Sequence, residues 1–230
     1  GGWSAEREVS LNKGKAVEKA LIEGGYDVTT IDVTKNLNKL IEALTPKPDA
    51  VFNNLYGTGG EDGTIQAVLD MLEIPYTHSP MRASAIAMDK PLTKALAGTV
   101  GIPSAYGVLS TKEEVLKGHV MEPPYVVKPP REGSSVGIRL IMENDNQKAL
   151  DEESWTFGDE VLVEKYVPGR ELTVAILDGK AQAVTEIIAK TKFFDYEAKY
   201  EDQTTEYIMP AKIPETTTNL ALEYAERLYT

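Results

Sequence analysis

Between Ser10 and Leu72 the chain alternates short β-rich runs with apolar residues at helical spacing, and this alternation restricts the possible folds more than any other feature. A helical stretch from Ser10 to Glu23 carries Leu11, Val17, Ala20 and Leu21 and stops at Gly24-Gly25, a glycine-rich C-terminal signal. Tyr26 to Val33 then reads as a strand. Leu37, Leu40, Ile41 and Leu44 recur at i, i+3, i+4 and i+7, which gives one apolar helix face, ended by Pro46 and Pro48. Asp49 to Asn53 reads as a buried strand, and Ile65, Val68, Leu69 and Leu72 make the next amphipathic helix. Strand, helix, strand, helix at this spacing predicts a parallel sheet with crossover helices.

From about Pro80 the pattern changes. Two helical pieces, Arg82 to Asp89 and Pro91 to Val100, precede strand-like runs at Tyr106 to Leu109, Tyr125 to Lys128, Gly137 to Met142 and Val161 to Val167. Asp178-Gly179 between Glu171 to Leu177 and Lys180 to Ile188 predicts a hairpin, because both turn residues tolerate positive φ. This region is α+β and mostly antiparallel. A last helix uses Leu220, Tyr224 and Leu228.

Composition narrows the chemistry. Among 230 residues there are no cysteines and two histidines, His78 and His119, which removes thiol nucleophiles, disulfides and Cys/His zinc sites. A formal net charge of −12 argues against general nucleic-acid binding, since phosphate backbones are held by positive faces. No apolar run reaches the roughly eighteen residues of a membrane span, and no signal-like segment opens the chain, so the expected location is cytoplasmic.

Four glycine- or charge-rich loops are candidates for function. Tyr56 to Gly63 joins a strand to a helix, where open α/β sheets bind ligands, although a plain glycine-rich connection with Asp62 near a helix start is an equal reading. Lys128 to Gly137 ends an apolar strand in a lysine and follows it with Gly133-Ser134-Ser135, whose backbone N–H groups and hydroxyls suit an anion better than a simple hairpin would. Val161 to Glu171 passes from a buried-looking strand into Glu164, Lys165 and Glu171, which could build an adenine slot or be a solvated strand end. Phe193 to Tyr200 is either a surface loop pinned by aromatics or a lid over a polar ligand.

Taken in order, these strings identify a family. The chain resembles the D-alanine–D-alanine ligases of the ATP-grasp superfamily, through Gly1-Gly2-Trp3-Ser4-Ala5-Glu6-Arg7-Glu8-Val9-Ser10-Leu11, Gly57-x-x-Gly60-Glu61-Asp62-Gly63-x-Ile65-Gln66 and Ala85-x-Ala87-Met88-Asp89-Lys90. The likeness continues in Val127-Lys128-Pro129-x-x-Glu132-Gly133-Ser134-Ser135-Val136-Gly137, Val163-Glu164-Lys165, Gly169-x-Glu171-Leu172-Thr173-Val174 and Phe194-Asp195-Tyr196-Glu197-Ala198-Lys199-Tyr200.

The resemblance implies an ATP-grasp fold, α/β and α+β, in three parts: an N-terminal parallel-sheet substrate domain over 1–80, a small central α+β domain over 81–165 and an incomplete C-terminal domain over 166–230 that carries the lid. It implies that two D-alanines and ATP react through a D-alanyl phosphate to make D-alanyl-D-alanine for peptidoglycan, with Mg²⁺ (or Mn²⁺) as metal and a homodimer as assembly. Such chemistry depends on positioning and charge neutralisation around the phosphate. By the same resemblance, Lys90, Lys128 and Lys199 take ATP phosphates with the Ser134-Ser135 backbone over them. Glu164, Lys165 and Val167 line the adenine, and Glu171 takes the ribose. Glu6, with Val9 and Tyr56 nearby, holds the first D-alanine, and Glu6, Ser134 and Tyr200 form a hydrogen-bonded catalytic set. Tyrosine at 200 favours the dipeptide over a D-lactate depsipeptide, where family members tend to carry phenylalanine.

The chain departs from the family at Tyr56, where the pattern has histidine, exchanging a titratable group for a bulkier phenol. The family's metal ligands, an Asp in Arg-x-Asp and the Glu and Asn of Leu-x-Glu-x-Asn-x-x-Pro-Gly, have no counterpart in residues 1–230, and the strand that should precede Gly1-Gly2 is missing too. The expectation is therefore that the metal site lies after Thr230 and that these 230 residues alone are an inactive fragment. Two other readings compete: an ATP-grasp ligase for a different small carboxylate and amine, and a nucleotide-binding module without catalysis.

Overall fold

The structure is a computed structural model that describes residues 1–143, 150, 153, 155–189 and 205–229. Its described residues form two compact units. The first comprises Gly1–Lys90 together with Arg131–Ser134, and the second comprises Pro91–Pro130 and Ser135–Thr230.

In the first unit, helices α1 (Arg7–Glu23), α2 (Leu37–Ala43), α3 (Thr64–Met71) and α4 (Met81–Met88) fall where the apolar periodicity puts them. Helix α1 ends as its glycines direct: Gly25 has φ +88, and Tyr26 N–H closes back on Leu21 O at 3.1 Å. Helix α2 is capped by Asn36, whose side chain accepts from Lys39 N–H. The apolar faces of α2 and α3 bury Leu40, Leu44, Ile65 and Leu69 with Val33 and Ile74, and Trp3, Val51 and Leu55 pack on that cluster. Each fully buried aliphatic side chain contributes about 1.5–3 kcal/mol.

The parallel sheet expected here is reduced to one parallel bridge, Val51 to Tyr76. Val51 N–H donates to Pro75 O at 2.8 Å, and Thr77 N–H donates to Val51 O at 3.1 Å. Tyr26–Val33 runs between helices α1 and α2 without forming a ladder; Gly2 N–H donates to Val33 O at 3.2 Å. A β-rich run becomes a strand only where another backbone lies alongside, which propensity does not supply.

Helix α5 (Lys90–Thr99) leads from the boundary into the second unit, where β1 (Gly107–Thr111), β2 (Tyr125–Lys128), β3 (Arg139–Ile141) and β4 (Glu160–Lys165) form an antiparallel sheet in the order β1-β4-β2-β3. Between β1 and β2, α6 (Lys112–Lys117) starts with a capping box of Thr111 and Glu114. Alternation along the strands sends Tyr125, Val127, Ile141, Val161 and Val163 into a core with Val115, Leu150 and Trp155. The opposite face therefore receives Gly107, Lys128, Leu162 and Glu164, paired Gly107 to Glu164 and Lys128 to Leu162.

Strands β5 (Glu171–Leu177), β6 (Lys180–Ile188) and β7 (Glu206–Ile208) make a second antiparallel sheet, on which α7 (Glu215–Tyr229) packs. The hairpin turn is the one the Asp-Gly pair predicts, with φ +50 at Asp178 and +74 at Gly179. Arg170 grips Glu186 with two parallel bonds, Nε to Oε1 at 2.6 Å and Nη2 to Oε2 at 2.5 Å, and so fixes the entry to β5. Among the described residues no helix is long and apolar enough to cross a membrane.

Candidate active site

Glu6 is the N-cap residue of α1, yet its side chain makes no capping bond. It points instead into the first unit, where it is 1% exposed. The α1 start is fixed against the 54–57 loop by a reciprocal pair: Ser10 Oγ donates to Asn54 O at 2.6 Å, and Asn54 Nδ2 donates to Ser10 O at 2.9 Å. Ser4 adds a second tie, its Oγ donating to Tyr56 O at 2.6 Å while accepting from Glu6 N–H at 3.1 Å. Val9 is buried on the same helix turn.

Ser134 Oγ donates to Glu6 Oε1. The other oxygen, Oε2, is buried with no hydrogen-bond partner among the described residues. Two glycines give it room: a Cβ at Gly57 would stand 2.6 Å from Oε2, and one at Gly133 would stand 2.8 Å away. A buried, half-satisfied carboxylate is costly unless a cation completes it.

Neighbouring groups feel this charge. Burial pushes the Glu61 carboxyl above the usual range, against the Gly57 N–H it accepts at 2.6 Å, and the Glu6 charge adds to the rise. Burial likewise raises Glu132, with Glu6 adding and Lys90 opposing. The Tyr56 phenol is raised by burial and then by Glu61 and Glu6, which keeps it a neutral donor. The acidic side chains gathered around Glu6 favour an ammonium.

The segment leading to Ser134 is held by two ties. Arg131 Nε donates to Asp89 at 2.7 Å, and Lys90 Nζ donates to Glu132 O at 2.5 Å. Ser134 and Ser135 have φ +50 and +61, left-handed conformations that cost non-glycine residues about 1–3 kcal/mol each. Those ties and the Ser134 to Glu6 bond hold the strained backbone in place.

In the second unit Lys128 Nζ pairs with Glu164 Oε2, and Lys94 Nζ pairs with Glu164 Oε1. Lys128 lies two positions beyond Val126, the cross-strand partner of Glu164, so the sheet itself brings the two side chains together. Burial alone would raise the Glu164 carboxyl, but the hydrogen bonds from Lys128 and Lys94 outweigh it and hold the group below the usual range.

Not every expected residue joins these clusters. The Lys165 side chain stands on the other face of the sheet and donates to Glu122 O at 3.2 Å, Val167 is largely exposed, and Glu171 opens β5 in an exposed position. Tyr200 and Lys199 lie outside the described residues. Sequence reading missed Lys94, whose one signal was a lysine four residues after Lys90 in an otherwise apolar helical repeat, and it missed the roles of Glu61 and Glu132 around Glu6. Among the described residues no group of three or more His, Asp or Glu side chains can hold a metal ion.

Residues 100–230 match the family described as the D-ala D-ala ligase C-terminus. The chain is 48% identical over 225 residues to the D-alanine–D-alanine ligase of Granulibacter bethesdensis, spanning 98% of this chain and 73% of that relative. This chain belongs to the D-alanine–D-alanine ligase family. Its structure is similar to that of the D-alanine–D-alanine ligase from Bacillus anthracis, with a TM-score of 0.78 and 32% identity over 99% of this chain and 75% of that one. The same Bacillus anthracis ligase complexed with ATP gives a TM-score of 0.76 and 31% identity, covering 99% and 74% of the two chains. The ATP-grasp fold of a D-alanine–D-alanine ligase is thus that of this chain, and the alternation with which the sequence begins forms part of it.

Proposed function

We propose that the reaction this chain serves is the ATP-dependent joining of two D-alanines to D-alanyl-D-alanine, the peptidoglycan precursor, through a D-alanyl phosphate. The observation that carries the reading is Glu6, an almost fully buried carboxylate with one oxygen bonded to Ser134 and the other unpartnered between Gly57 and Gly133. Its open oxygen takes the ammonium of the first D-alanine. Val9 and Tyr56 border that amino acid. Ser134 keeps Glu6 oriented, and Tyr200 completes the set that orients the second amine.

For the nucleotide, Lys90, Lys128 and Lys199 neutralise phosphate charge and the Ser134-Ser135 backbone covers it, which leaves the protein no need of a nucleophile of its own. Glu164 accepts from the adenine amine. The backbone of Lys165 and Val167 lines the base, and Glu171 takes the ribose hydroxyls. Mg²⁺ or Mn²⁺ would supply further phosphate neutralisation when bound, and among the described residues no group of acidic or histidine side chains fits it. The same reading carries a homodimer in the cytoplasm and a three-part layout of 1–80, 81–165 and 166–230.

A substrate panel tests the reading. With ATP present, D-alanine should stimulate phosphate release and yield D-alanyl-D-alanine, whereas L-alanine, D-lactate alone and other small carboxylates should not. Stimulation by a different carboxylate and amine, with D-alanine inert, would reassign the substrate.

A further inference from the structure

We propose that Lys94 is a positioning residue that sets the base selectivity of the nucleotide site by holding the Glu164 carboxylate in place. The inference rests on the reading of Glu164 as the adenine contact and of Lys128 as a phosphate ligand.

Glu164 is shared between two ammonium groups that are anchored differently. Lys94 Nζ bonds Glu164 Oε1 and also donates to Ala105 O at 2.5 Å, so it is tied to the segment entering β1 as well as to the carboxylate. Lys128 Nζ pairs with the other oxygen, Oε2. The space for the Lys94 contact is provided by Gly107, the cross-strand partner of Glu164. A Cβ at 107 would stand 2.9 Å from Lys94 Nζ and 2.8 Å from Glu164 Cγ. The φ of Gly107 lies outside the left-handed region, so glycine is not required there by backbone conformation. What it provides is room for the ion pair.

The two lysines therefore divide the work. When ATP binds, Lys128 leaves Oε2 for phosphate, and that oxygen becomes available to a hydrogen-bond donor. Lys94, held by Ala105 O, stays. Its charge keeps the buried carboxylate ionised once Lys128 has gone, because a lone buried carboxylate would otherwise take up a proton. An ionised carboxylate only accepts hydrogen bonds. It fits the exocyclic amine of a 6-aminopurine and rejects the carbonyl of a 6-oxopurine. Lys94 thus acts on the base through Glu164 without touching it.

The test compares ATP with ITP by calorimetry in the wild-type protein and in Lys94→Met, Lys94→Arg, Gly107→Ala and Lys128→Met, with thermal unfolding as a check of folding. Wild-type protein should prefer ATP. Lys94→Met should cut the ATP-to-ITP affinity ratio by about tenfold or more, since discrimination comes from a buried acceptor held in register. Lys94→Arg should restore part of it. Lys128→Met should weaken both nucleotides alike and keep the ratio. A ratio unchanged in Lys94→Met, with only affinity or unfolding temperature lowered, overturns the proposal. If Lys94→Met does not fold, Gly107→Ala gives the same reading by displacing the pair without removing a charge, and an unchanged ratio there also overturns it. Wild-type protein that binds ATP and ITP equally removes Glu164 from the base, so the parent reading fails rather than the role of Lys94 alone.

Discussion

Glu6 in the first unit and Glu164 in the second are both buried carboxylates given space by glycines, and their surroundings treat them in opposite ways. Around Glu6 the near neighbours are acidic, the Glu61 and Glu132 carboxyls are pushed up, and Oε2 has no partner among the described residues. Around Glu164 two lysines occupy both oxygens and pull the carboxyl down. The first environment leaves negative charge open for an incoming cation. The second satisfies its charge internally and can release one lysine without stranding the acid. Residue type does not distinguish these sites; the sign of the charge packed around each one does.

The largest effect should come from Glu6→Gln, which keeps the shape and removes the charge. Loss of a buried ammonium partner is worth about 3–5 kcal/mol, so kcat/KM for D-alanine should fall by about two to four orders of magnitude in a phosphate-release assay. ATP affinity should hold. A fall in ATP binding with D-alanine kinetics intact would erase the contrast between the two carboxylates.

A smaller effect is expected from Gly57→Ala. The added Cβ meets Glu6 Oε2 at 2.6 Å in a backbone with φ +68, so both contact and conformation oppose it. A loss of about 1–3 kcal/mol should appear in urea unfolding. Gly107→Ala, whose Cβ meets Glu164 Cγ at 2.8 Å and the Val163 backbone oxygen at 3.2 Å but which carries no left-handed φ, should cost less. Equal losses would mean that backbone strain does not separate the two glycines.

The smallest effect is in pH dependence. The folded Glu164 carboxyl lies below its usual range, so its stabilisation is present above that range and is lost as pH falls through the folded value. Glu61 is raised, so its contribution is present below its usual range and is lost as pH rises through the raised value. From about pH 5 down to about pH 3, wild-type protein should lose more stability than Glu164→Gln does. Above that span, from about pH 7 down to about pH 5, Glu61→Gln should lack a gain that the wild type shows. Parallel pH profiles for wild type and both variants would contradict the opposite fields.

Much of the scaffold was legible from periodicity. Helices α1 to α5 lie within a few residues of their apolar patterns and strands β1 to β6 follow the β-rich runs, with the Asp178-Gly179 turn at its predicted φ values, whereas α6 and β7 were not anticipated. Tyr26–Val33 was overread as a strand because propensity reports on a residue's own conformation and strand formation needs a neighbour. The loop bearing Lys128, Ser134 and Ser135 stood out in the sequence by its composition. Lys94 was not, since a lysine in a helix is ordinarily a solvated face residue.

Sequence alone thus determined where the helices α1 to α5 and the Asp178-Gly179 turn form, because apolar period and turn chemistry are local properties. It also determined the family, because its motifs are strings. The family strings already implied that Ser134 reaches Glu6 across 128 residues; tertiary structure alone decided that Lys94 meets Glu164 across 70 and that Gly57, Gly133 and Gly107 make the room for carboxylates. Charge, burial and clearance at a buried acid are set by chain segments distant in sequence, and their balance exists only once those segments have packed.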